Sequence, residues 1–279
     1  MNAIRWIALS VLCAAAVVIW AAPTPSGFAV SFLDVGQGDS ILIESGNVQM
    51  LIDGGADQSV LRELGKKMPF WDRRIDAVVA THPDKDHIGG LVDVIKRYKV
   101  GTFIESGVES DTPHAAALKK EVTKKNLDPV LARRGMRIEL GSGGYADILF
   151  PDRDVPTIET NTGSIIMRVA YGGTSFMLTG DAPSSVEKYL VALNRGELDS
   201  DILKAGHHGS KTSSAETFIS AVSPQAVVFS RGCDNTYGHP AKEVAERFQK
   251  LKIPALDTCE NGTITFTSDG KTLHSGTFR

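Results

Sequence analysis

Strong charge, abundant cysteine and low-complexity tracts are all lacking from this chain of 279 residues. The net charge of −3 excludes a strong overall attraction to nucleic acid, so contact with a polyanion would depend on local basic groups. The apolar and charged fractions, 42% and 23%, exclude a chain that is disordered by composition. The length therefore suits one large α/β domain or two small ones.

Charge is also lacking from residues 6–22, WIALSVLCAAAVVIWAA. This run is at the lower limit of a membrane span and exceeds a typical signal-peptide core. Arg5 precedes it and the next cation is Arg62, which predicts that the chain beyond the run lies outside the cytoplasm. The predicted organisation is a signal anchor or signal peptide over 1–22, a linker over 23–27, and one domain over 28–279.

The three cysteines leave a question open. Cys13 lies in the apolar run, whereas Cys233 and Cys259 each follow a strand-like segment, QAVVFS and IPALDT. In an oxidising compartment such a pair can form a disulfide, provided that the Cα atoms are close enough. Because no further soft ligand is near, a cysteine zinc site is not expected.

The second half of the chain repeats the plan of the first. Both MLIDGGADQSVLREL (50–64) and MLTGDAPSSVEKYL (177–190) indicate a strand, a Gly/Asp turn and a helix. Both IDAVVATH (75–82) and SDILKAGH (200–207) predict a strand that ends at a histidine. Such a duplication predicts two similar layers, and two sheets covered by helices are the economical packing.

The duplication pairs Asp53 with Asp181, and His82 with His207. The separation from aspartate to histidine is 29 residues in the first half and 26 in the second. Because all four residues follow predicted strands, we expect their side chains to meet at one edge of the two sheets.

The loop after the first of these histidine strands contains four metal-binding side chains: His82, Asp84, Asp86 and His87. Imidazole suits zinc, whereas carboxylates shift the preference toward manganese or magnesium. Alternate side chains of an extended segment point the same way, so the first three would project together. One ion cannot take all four with good geometry, and the pattern therefore predicts two ions.

In combination, these motifs resemble the metallo-β-lactamase fold superfamily: T-H-P-D-K-D-H-I-G-G, L-I-D-G-G, L-T-G-D and K-A-G-H-H-G-S. More narrowly, F-L-D-V-G-Q-G-D-S, G-H-H-G-S-K-T-S and N-T-Y-G-H-P are similar to the hydrolase domain of the ComEC family of bacterial competence proteins. The resemblance covers residues 28 to about 270. It implies an αββα sandwich with the metal site at the edge of the two sheets.

The resemblance also implies six metal ligands. They are His82 and Asp84 for the first ion, Asp86, His87 and His207 for the second, and Asp181 bridging both. Asp84 and Asn161 stand where the superfamily usually has histidines. Both departures harden the first site, so the two divalent ions are expected to be Zn or Mn.

Other residues have supporting roles in this interpretation. Asp53 is expected to orient a loop or a ligand. Asn161 and Ser164 either complete the first metal site or serve turn chemistry. His208 either supports the neighbouring ligand or fills its loop.

Catalytic and substrate roles are expected at four positions. Asp86 is a candidate catalytic residue as well as a ligand. His239, held in N-T-Y-G-H-P, is a candidate to contact phosphate or to protonate the leaving oxygen. Ser210 and Lys211 are candidate phosphate contacts.

The charge of such a centre suits a phosphodiester. Three neutral histidines, three ionised aspartates and two dications leave one positive charge, and no convincing Ser–His–Asp arrangement offers a protein nucleophile. The resemblance implies an extracytoplasmic nuclease or phosphodiesterase that acts on DNA during uptake or competence. The membrane would be contacted through the N-terminal helix, and a separately encoded DNA-uptake channel is a candidate partner.

Two alternatives stay open. The same dinuclear fold can hydrolyse a lactam, lactone or thioester bond, although Asp84 in place of a second loop histidine argues against a lactamase. A non-catalytic metal- or DNA-binding module is the other alternative, and the presence of all six ligand types argues against it.

Overall fold

Two β-sheets lie face to face, and helices cover the outer side of each. The computed structural model describes residues 27–193 and 196–278. The predicted αββα sandwich is confirmed for this part, whereas the predicted signal or anchor segment, 1–22, lies outside the described residues. None of the helices in the described ranges is long and apolar enough to cross a bilayer.

The first sheet contains eight strands and combines an antiparallel half with a parallel half. In chain order they are β1 (Phe28–Phe32), β2 (Ile41–Ser45), β3 (Val48–Ile52), β4 (Arg74–Ala80), β5 (Lys99–Glu105), β6 (Val130–Leu131), β14 (Thr263–Ser268) and β15 (Leu273–Phe278). Their spatial order is β15-β14-β1-β2-β3-β4-β5-β6. The strands from β3 to β6 run parallel, and the others pair antiparallel.

The second sheet repeats this plan with seven strands. They are β7 (Arg137–Glu139), β8 (Gly144–Phe150), β9 (Ile166–Tyr171), β10 (Thr174–Leu178), β11 (Ile202–Lys204), β12 (Ala226–Phe229) and β13 (Ala255–Asp257). They lie in the order β13-β12-β11-β10-β9-β8-β7, parallel from β10 to β13 and antiparallel elsewhere. The pair β3–β4 thus corresponds to the pair β10–β11, as the duplication predicts.

Helices bury one apolar face each on the outer side of these sheets. On the first sheet are α1 (Ser59–Lys67), α2 (Lys85–Ile88), α3 (Leu91–Arg97) and α4 (Pro113–Lys124). On the second are α5 (Ser184–Leu193), α6 (Glu216–Val222) and α7 (Lys242–Lys250), and a short α8 (Thr258–Asn261) follows β13. In α3 the apolar side chains of Leu91, Val94 and Ile95 are buried.

The main core lies between the sheets and draws side chains from both. Phe32 and Phe266 of the first sheet belong to the same cluster as Phe176 of the second. The rings of Phe176 and Phe266 pack edge to face with their centroids 5.8 Å apart. Substitution of a buried phenylalanine such as Phe176 by Ala costs about 3–5 kcal/mol of stability. These contacts therefore hold the two sheets together.

A disulfide settles the question that the cysteines left open. Cys233 follows β12 and Cys259 lies in α8, just beyond the neighbouring strand β13. Their sulfur atoms are bonded at 2.01 Å, and their Cα atoms lie 4.9 Å apart. The bond therefore links the loops at the ends of two adjacent parallel strands of the second sheet.

Candidate metal centre

Loops that follow four strands converge at one edge of the sandwich. The four loops follow β3 and β4 in the first sheet and β10 and β11 in the second. The segments after β4, β10 and β11 bring together one ligand atom each from Asp86 and His87 in α2, from Asp181 and from His208, all within 4.8 Å of one another. Oδ2 of Asp181 lies 3.2 Å from Nε2 of His87 and 3.3 Å from Nε2 of His208. Each half of the chain therefore contributes two members of this group.

Three imidazole rings turn the same nitrogen into the centre. Nε2 of His82, of His87 and of His208 is buried without a hydrogen-bond partner. A buried polar atom left without a partner costs about 1–3 kcal/mol. Three such nitrogens beside two carboxylates would be costly to fold without a cation.

The hydrogen bonds of Nδ1 in His87 and His208 explain why Nε2 of each ring is available as a ligand. Nδ1 of His87 lies 2.8 Å from Oδ2 of Asp53, and Nδ1 of His208 lies 2.8 Å from the carbonyl oxygen of Ser230, so both donate to these acceptors. Because Nδ1 carries the proton in the neutral ring, a lone pair remains on Nε2. Lone pairs and carboxylate oxygens thus face one another, and a divalent cation fits this donor set.

His82 is prepared in the same way. Oγ1 of Thr81 donates to Asp53 at 2.7 Å, so it accepts the Nδ1 proton of His82 at 3.0 Å. Burial lowers the pKa of His82 to about 3, which keeps the ring neutral at ordinary pH. The ring is therefore a ready ligand, and its centroid lies 4.1 Å from that of His87.

Neighbouring carboxylates favour the protonated form of His87 and His208. Burial disfavours the charged form of both rings. Asp181 nevertheless raises the pKa of His87 and of His208 well above the usual value, and Asp53 contributes in the case of His87. An ion that binds here must displace these protons, so the affinity for the ion rises with pH.

Asp53 lies beneath the centre, where an orienting residue is expected. It is fully buried and accepts hydrogen bonds from the backbone N–H and the hydroxyl of Thr81 and from Nδ1 of His87. A carboxylate behind a metal-binding histidine fixes the direction of the ring. Asp53 is thus in the position that its predicted role requires.

The predicted first site is more open. Oδ2 of Asp84 lies 3.7 Å from Nε2 of His82, and the Asp84 side chain keeps 37% of its surface exposed. Ser164 serves the backbone here, because its hydroxyl accepts a hydrogen bond from the N–H of Asp181. Oδ1 of Asn161 is buried without a hydrogen-bond partner, which leaves an oxygen available for a ligand role.

The two adjacent histidines, His207 and His208, differ in their position relative to the ligand group. His207 and His208 lie in the turn Gly206–Gly209 with left-handed φ angles of 48° and 56°. The turn directs His208 into the ligand group, whereas the ring of His207 is 27% exposed with Nε2 3.7 Å from Asp181. In this geometry His208 joins the group of possible ligands, whereas His207, the ligand that the resemblance implies, lies at its edge.

A buried ion pair that was not predicted from the sequence lies beside Asp181. Nζ of Lys204 lies 2.5 Å from Oδ2 of Asp39 and 3.4 Å from Oδ1 of Asp181, and it donates to the carbonyl oxygen of Gly180 at 2.8 Å. Burial opposes ionisation of Asp39, but Lys204 and His208 hold the pKa of its carboxyl at about 2. A lysine at the end of the otherwise apolar strand β11 was the available signal.

The mouth of the centre is formed by the loop that contains His239. Its ring lies 5.7 Å from that of His207 and stacks at 5.7 Å on Tyr237, measured between centroids. Asn235 holds this loop, accepting from the N–H of His239 and donating to its carbonyl oxygen. Nδ1 of His239 is buried without a hydrogen-bond partner. His239 is therefore placed beside the centre, as predicted for a substrate contact.

Ser210 and Lys211 differ in their availability. The Ser210 hydroxyl is buried and hydrogen bonds with that of Thr212 at 3.0 Å, which fits turn chemistry. Lys211 is exposed next to it. Of the two predicted phosphate contacts, only Lys211 presents an accessible charge.

An open groove with a volume of about 1080 Å³ has His82 and Pro83 in its lining. Phe103 and Leu118 also line it, and the lining contains more carboxylates than cations. The lining cations are Lys119 and Arg133, and the carboxylates are Glu105, Glu109, Asp111 and Asp154. The groove therefore offers apolar surface beside the centre and no track of positive charge.

The comparisons with known proteins agree with this geometry. Residues 33–232 match the family model of the metallo-beta-lactamase superfamily. The chain is 30% identical to ComE operon protein 3 of Bacillus subtilis over 85% of its length, and 31% identical to competence protein ComA of Neisseria gonorrhoeae, also over 85%. It spans about a third of the length of these relatives, 32% in both cases.

Among solved structures, the fold is similar to that of Igni18, a metallo hydrolase of Ignicoccus hospitalis. The TM-score is 0.55 at 14% identity, covering 90% of this chain and all of that one. The fold is thus similar to that of a metallo hydrolase, and the sequence identity to the competence proteins is higher. The chain belongs to the metallo-beta-lactamase superfamily, with a domain like the hydrolase domain of ComEC-type proteins.

Proposed function

We propose that the protein is a metal-dependent phosphodiesterase that cleaves DNA in a ComEC-type uptake system. The observation that carries the proposal is the cluster of Asp86, His87, Asp181 and His208, with the lone pair of His82 turned toward it. Similarity to a protein named for competence supports DNA as the substrate.

Two ions would divide the ligands between them. Asp86, His87 and His208 would hold one, His82 and Asp84 the other, and Asp181 lies between the two groups. The mixture of imidazole and carboxylate suits Zn or Mn. When bound, such a pair supplies an activated water and stabilises negative charge on a phosphate.

Side chains at the mouth would orient the substrate. Burial lowers the pKa of His239, so its ring is neutral at neutral pH and acts better as a hydrogen-bond donor to phosphate than as an acid. Lys85, at the start of α2, and Lys211, just after the turn Gly206–Gly209, are exposed near the ligands in the chain, and they would attract the phosphate chain. The acidic groove would repel a phosphate chain, so the DNA backbone would pass on the side of these two lysines.

We also propose that the domain lies outside the cytoplasm, anchored or released by the N-terminal segment. The uncharged run over 6–22 and the cation that precedes it support this location. The bond between Cys233 and Cys259 supports it as well, because disulfides persist in oxidising compartments. An alkaline phosphatase fusion after Arg279 tests the location: activity in intact cells is expected, and an inactive fusion would contradict it. A DNA-uptake channel encoded elsewhere remains the candidate partner.

The activity is tested with the full chain, stripped of metal and reloaded with Zn or Mn. Three substrates are offered in parallel: bis(p-nitrophenyl) phosphate, single-stranded DNA and a chromogenic cephalosporin. We expect the first two to be cleaved. Hydrolysis of the cephalosporin alone would overturn the proposal, and metal binding without any turnover would indicate a binding module.

A matched pair of variants separates the site from the rest of the fold. Asp86→Ala removes a ligand and should abolish cleavage while the protein keeps its fold. His274→Ala removes an exposed histidine of β15 and should leave cleavage unchanged. Cleavage retained in the Asp86 variant would contradict the proposed ligand set.

A further inference from the structure

Lys204 is a fully buried cation at the end of β11, in the layer directly behind the ligand group. Its ammonium group contacts Asp39, Asp181 and the carbonyl oxygen of Gly180. Ile202 and Leu203, the residues before it in the same strand, belong to the apolar cores. A charge in such surroundings has a desolvation cost that an apolar side chain would avoid.

The two oxygens of Asp181 are divided between different partners. Oδ1 lies 3.4 Å from Nζ of Lys204. Oδ2 faces Nε2 of His87 at 3.2 Å and Nε2 of His208 at 3.3 Å. The lysine thus faces one oxygen, and the ligand nitrogens face the other.

We propose that Lys204 is a positioning residue that withholds Oδ1 of Asp181, so that Asp181 offers a single oxygen to the metal ions. The proposal rests on the metal-dependent function proposed above. Asp39 serves as the counter-ion that keeps the buried lysine charged.

Without Lys204, both oxygens of Asp181 would be free to chelate one ion. Zn²⁺ in proteins prefers four ligands in a tetrahedral arrangement. Ca²⁺ accepts six to eight oxygens and readily takes both oxygens of one carboxylate. The lysine therefore biases the centre toward Zn²⁺ over Ca²⁺, and its removal should shift this preference.

The test measures metal binding to the full chain by competition titration with Zn²⁺ and with Ca²⁺, at one pH. Lys204→Met keeps an unbranched side chain that is one heavy atom shorter and removes the charge. We expect its Zn²⁺ affinity to fall about 10- to 100-fold, as for other residues that orient metal ligands. We expect its Ca²⁺ affinity to fall less or to rise. An unchanged ratio of the two affinities would overturn the proposal.

A double variant separates positioning from folding. Lys204→Met alone leaves the carboxylate of Asp39 buried without its cation, which should lower the melting temperature. Asp39→Asn combined with Lys204→Met removes both charges, so the melting temperature should recover while the altered metal preference persists. If melting temperature and metal preference recover together, the lysine has only a structural role and the proposal fails. The double variant also carries the test if the single variant does not fold.

The readout also separates this proposal from the proposed function. A wild-type protein that binds Zn²⁺ but cleaves no phosphodiester contradicts the nuclease activity and leaves the role of Lys204 to be decided by the two affinities. A wild-type protein that binds neither metal overturns both proposals.

Discussion

Asp53 and Asp181 follow equivalent strands in the two halves of the molecule, yet they face different partners. Asp53, after β3, accepts from Nδ1 of His87 on the far side of the ring. Asp181, after β10, lies 3.2 Å from Nε2 of the same ring, on the side of the centre. The two carboxylates thus hold one imidazole between them.

The backbone explains the difference. Asp53 itself has a left-handed φ of 58°, whereas in the second half the left-handed residue is Gly180, with φ of 49°, one position before Asp181. The change of direction therefore occurs one residue earlier relative to the carboxylate. A duplicated strand end fixes where the acid lies, and the local turn decides whether it meets a metal or supports a ligand.

Exchanging each of these acids for its amide gives the largest expected effects. Asp181→Asn should lose metal binding and hydrolysis, since the only oxygen that faces the imidazoles loses its charge. Asp53→Asn should lose only about 10- to 100-fold in metal affinity, because it acts through the orientation of His87. Isothermal titration with Zn²⁺ checks both. Equal losses in the two variants would mean that the two acids have the same role.

The adjacent histidines provide the next contrast. His208→Ala should release an ion that the wild type retains, because the ring belongs to the ligand group. His207→Ala should retain that ion and lose less activity, because its ring lies at the exposed mouth. Elemental analysis of the dialysed variants measures the difference. Loss of the ion from the His207 variant alone would restore the assignment made from the sequence.

Removal of the disulfide in the second half of the chain should have a smaller effect. Cys233→Ser with Cys259→Ser removes the only disulfide of the described residues, whose cysteines are 26 positions apart. The free energy of unfolding should fall by about 2–4 kcal/mol. Urea unfolding of both proteins without reductant is the measurement, and the same comparison with reductant present, where the difference should vanish, is the control. Metal content should stay unchanged, since neither cysteine contacts the ligand group.

The smallest effect concerns two buried glutamates on the helices that follow Asp53 and Asp181. Burial alone would raise the pKa of Glu63, but hydrogen bonds from Lys66 and Arg62 lower the pKa below its usual value. Burial raises the pKa of Glu187 from 4.5 to about 7, although the N–H groups of Ser214 and Ala215 favour its carboxylate.

The stability that Glu187 contributes should therefore be complete below pH 4.5 and should decline as pH rises toward 7. Relative to Glu187→Gln, wild type should lose at most about 3 kcal/mol across this interval. Glu63→Gln should show the opposite trend, since a lowered pKa stabilises at higher pH and is lost in acid. Urea unfolding at a series of pH values tests both, and parallel curves for wild type and Glu187→Gln would contradict the first.

Much of this structure could be predicted from the pattern of apolar residues. The runs that end at Asp53, His82 and Asp181 are the strands β3, β4 and β10. These predictions hold because a strand buried on both sides needs a nearly continuous apolar run, and polar residues can then occur only where the strand ends.

The choice between His207 and His208 could not be made in the same way. Alternation of side chains predicts direction in extended backbone, but both residues have left-handed φ angles, to which that rule does not apply. Asp39 and Lys204 escaped prediction for another reason. They are 165 positions apart in the chain, so only the packing of the two sheets reveals that they form an ion pair.

The ligands come from both halves of the chain, so a complete metal site requires that both halves are folded. Asp86 and His87 come from the first half, and Asp181 and His208 from the second. A copy in which either half is misfolded has an incomplete coordination shell, and ions favour only the fully assembled form. A defective copy would thus be inert, and the hydrolase would stay inactive until its folding is finished.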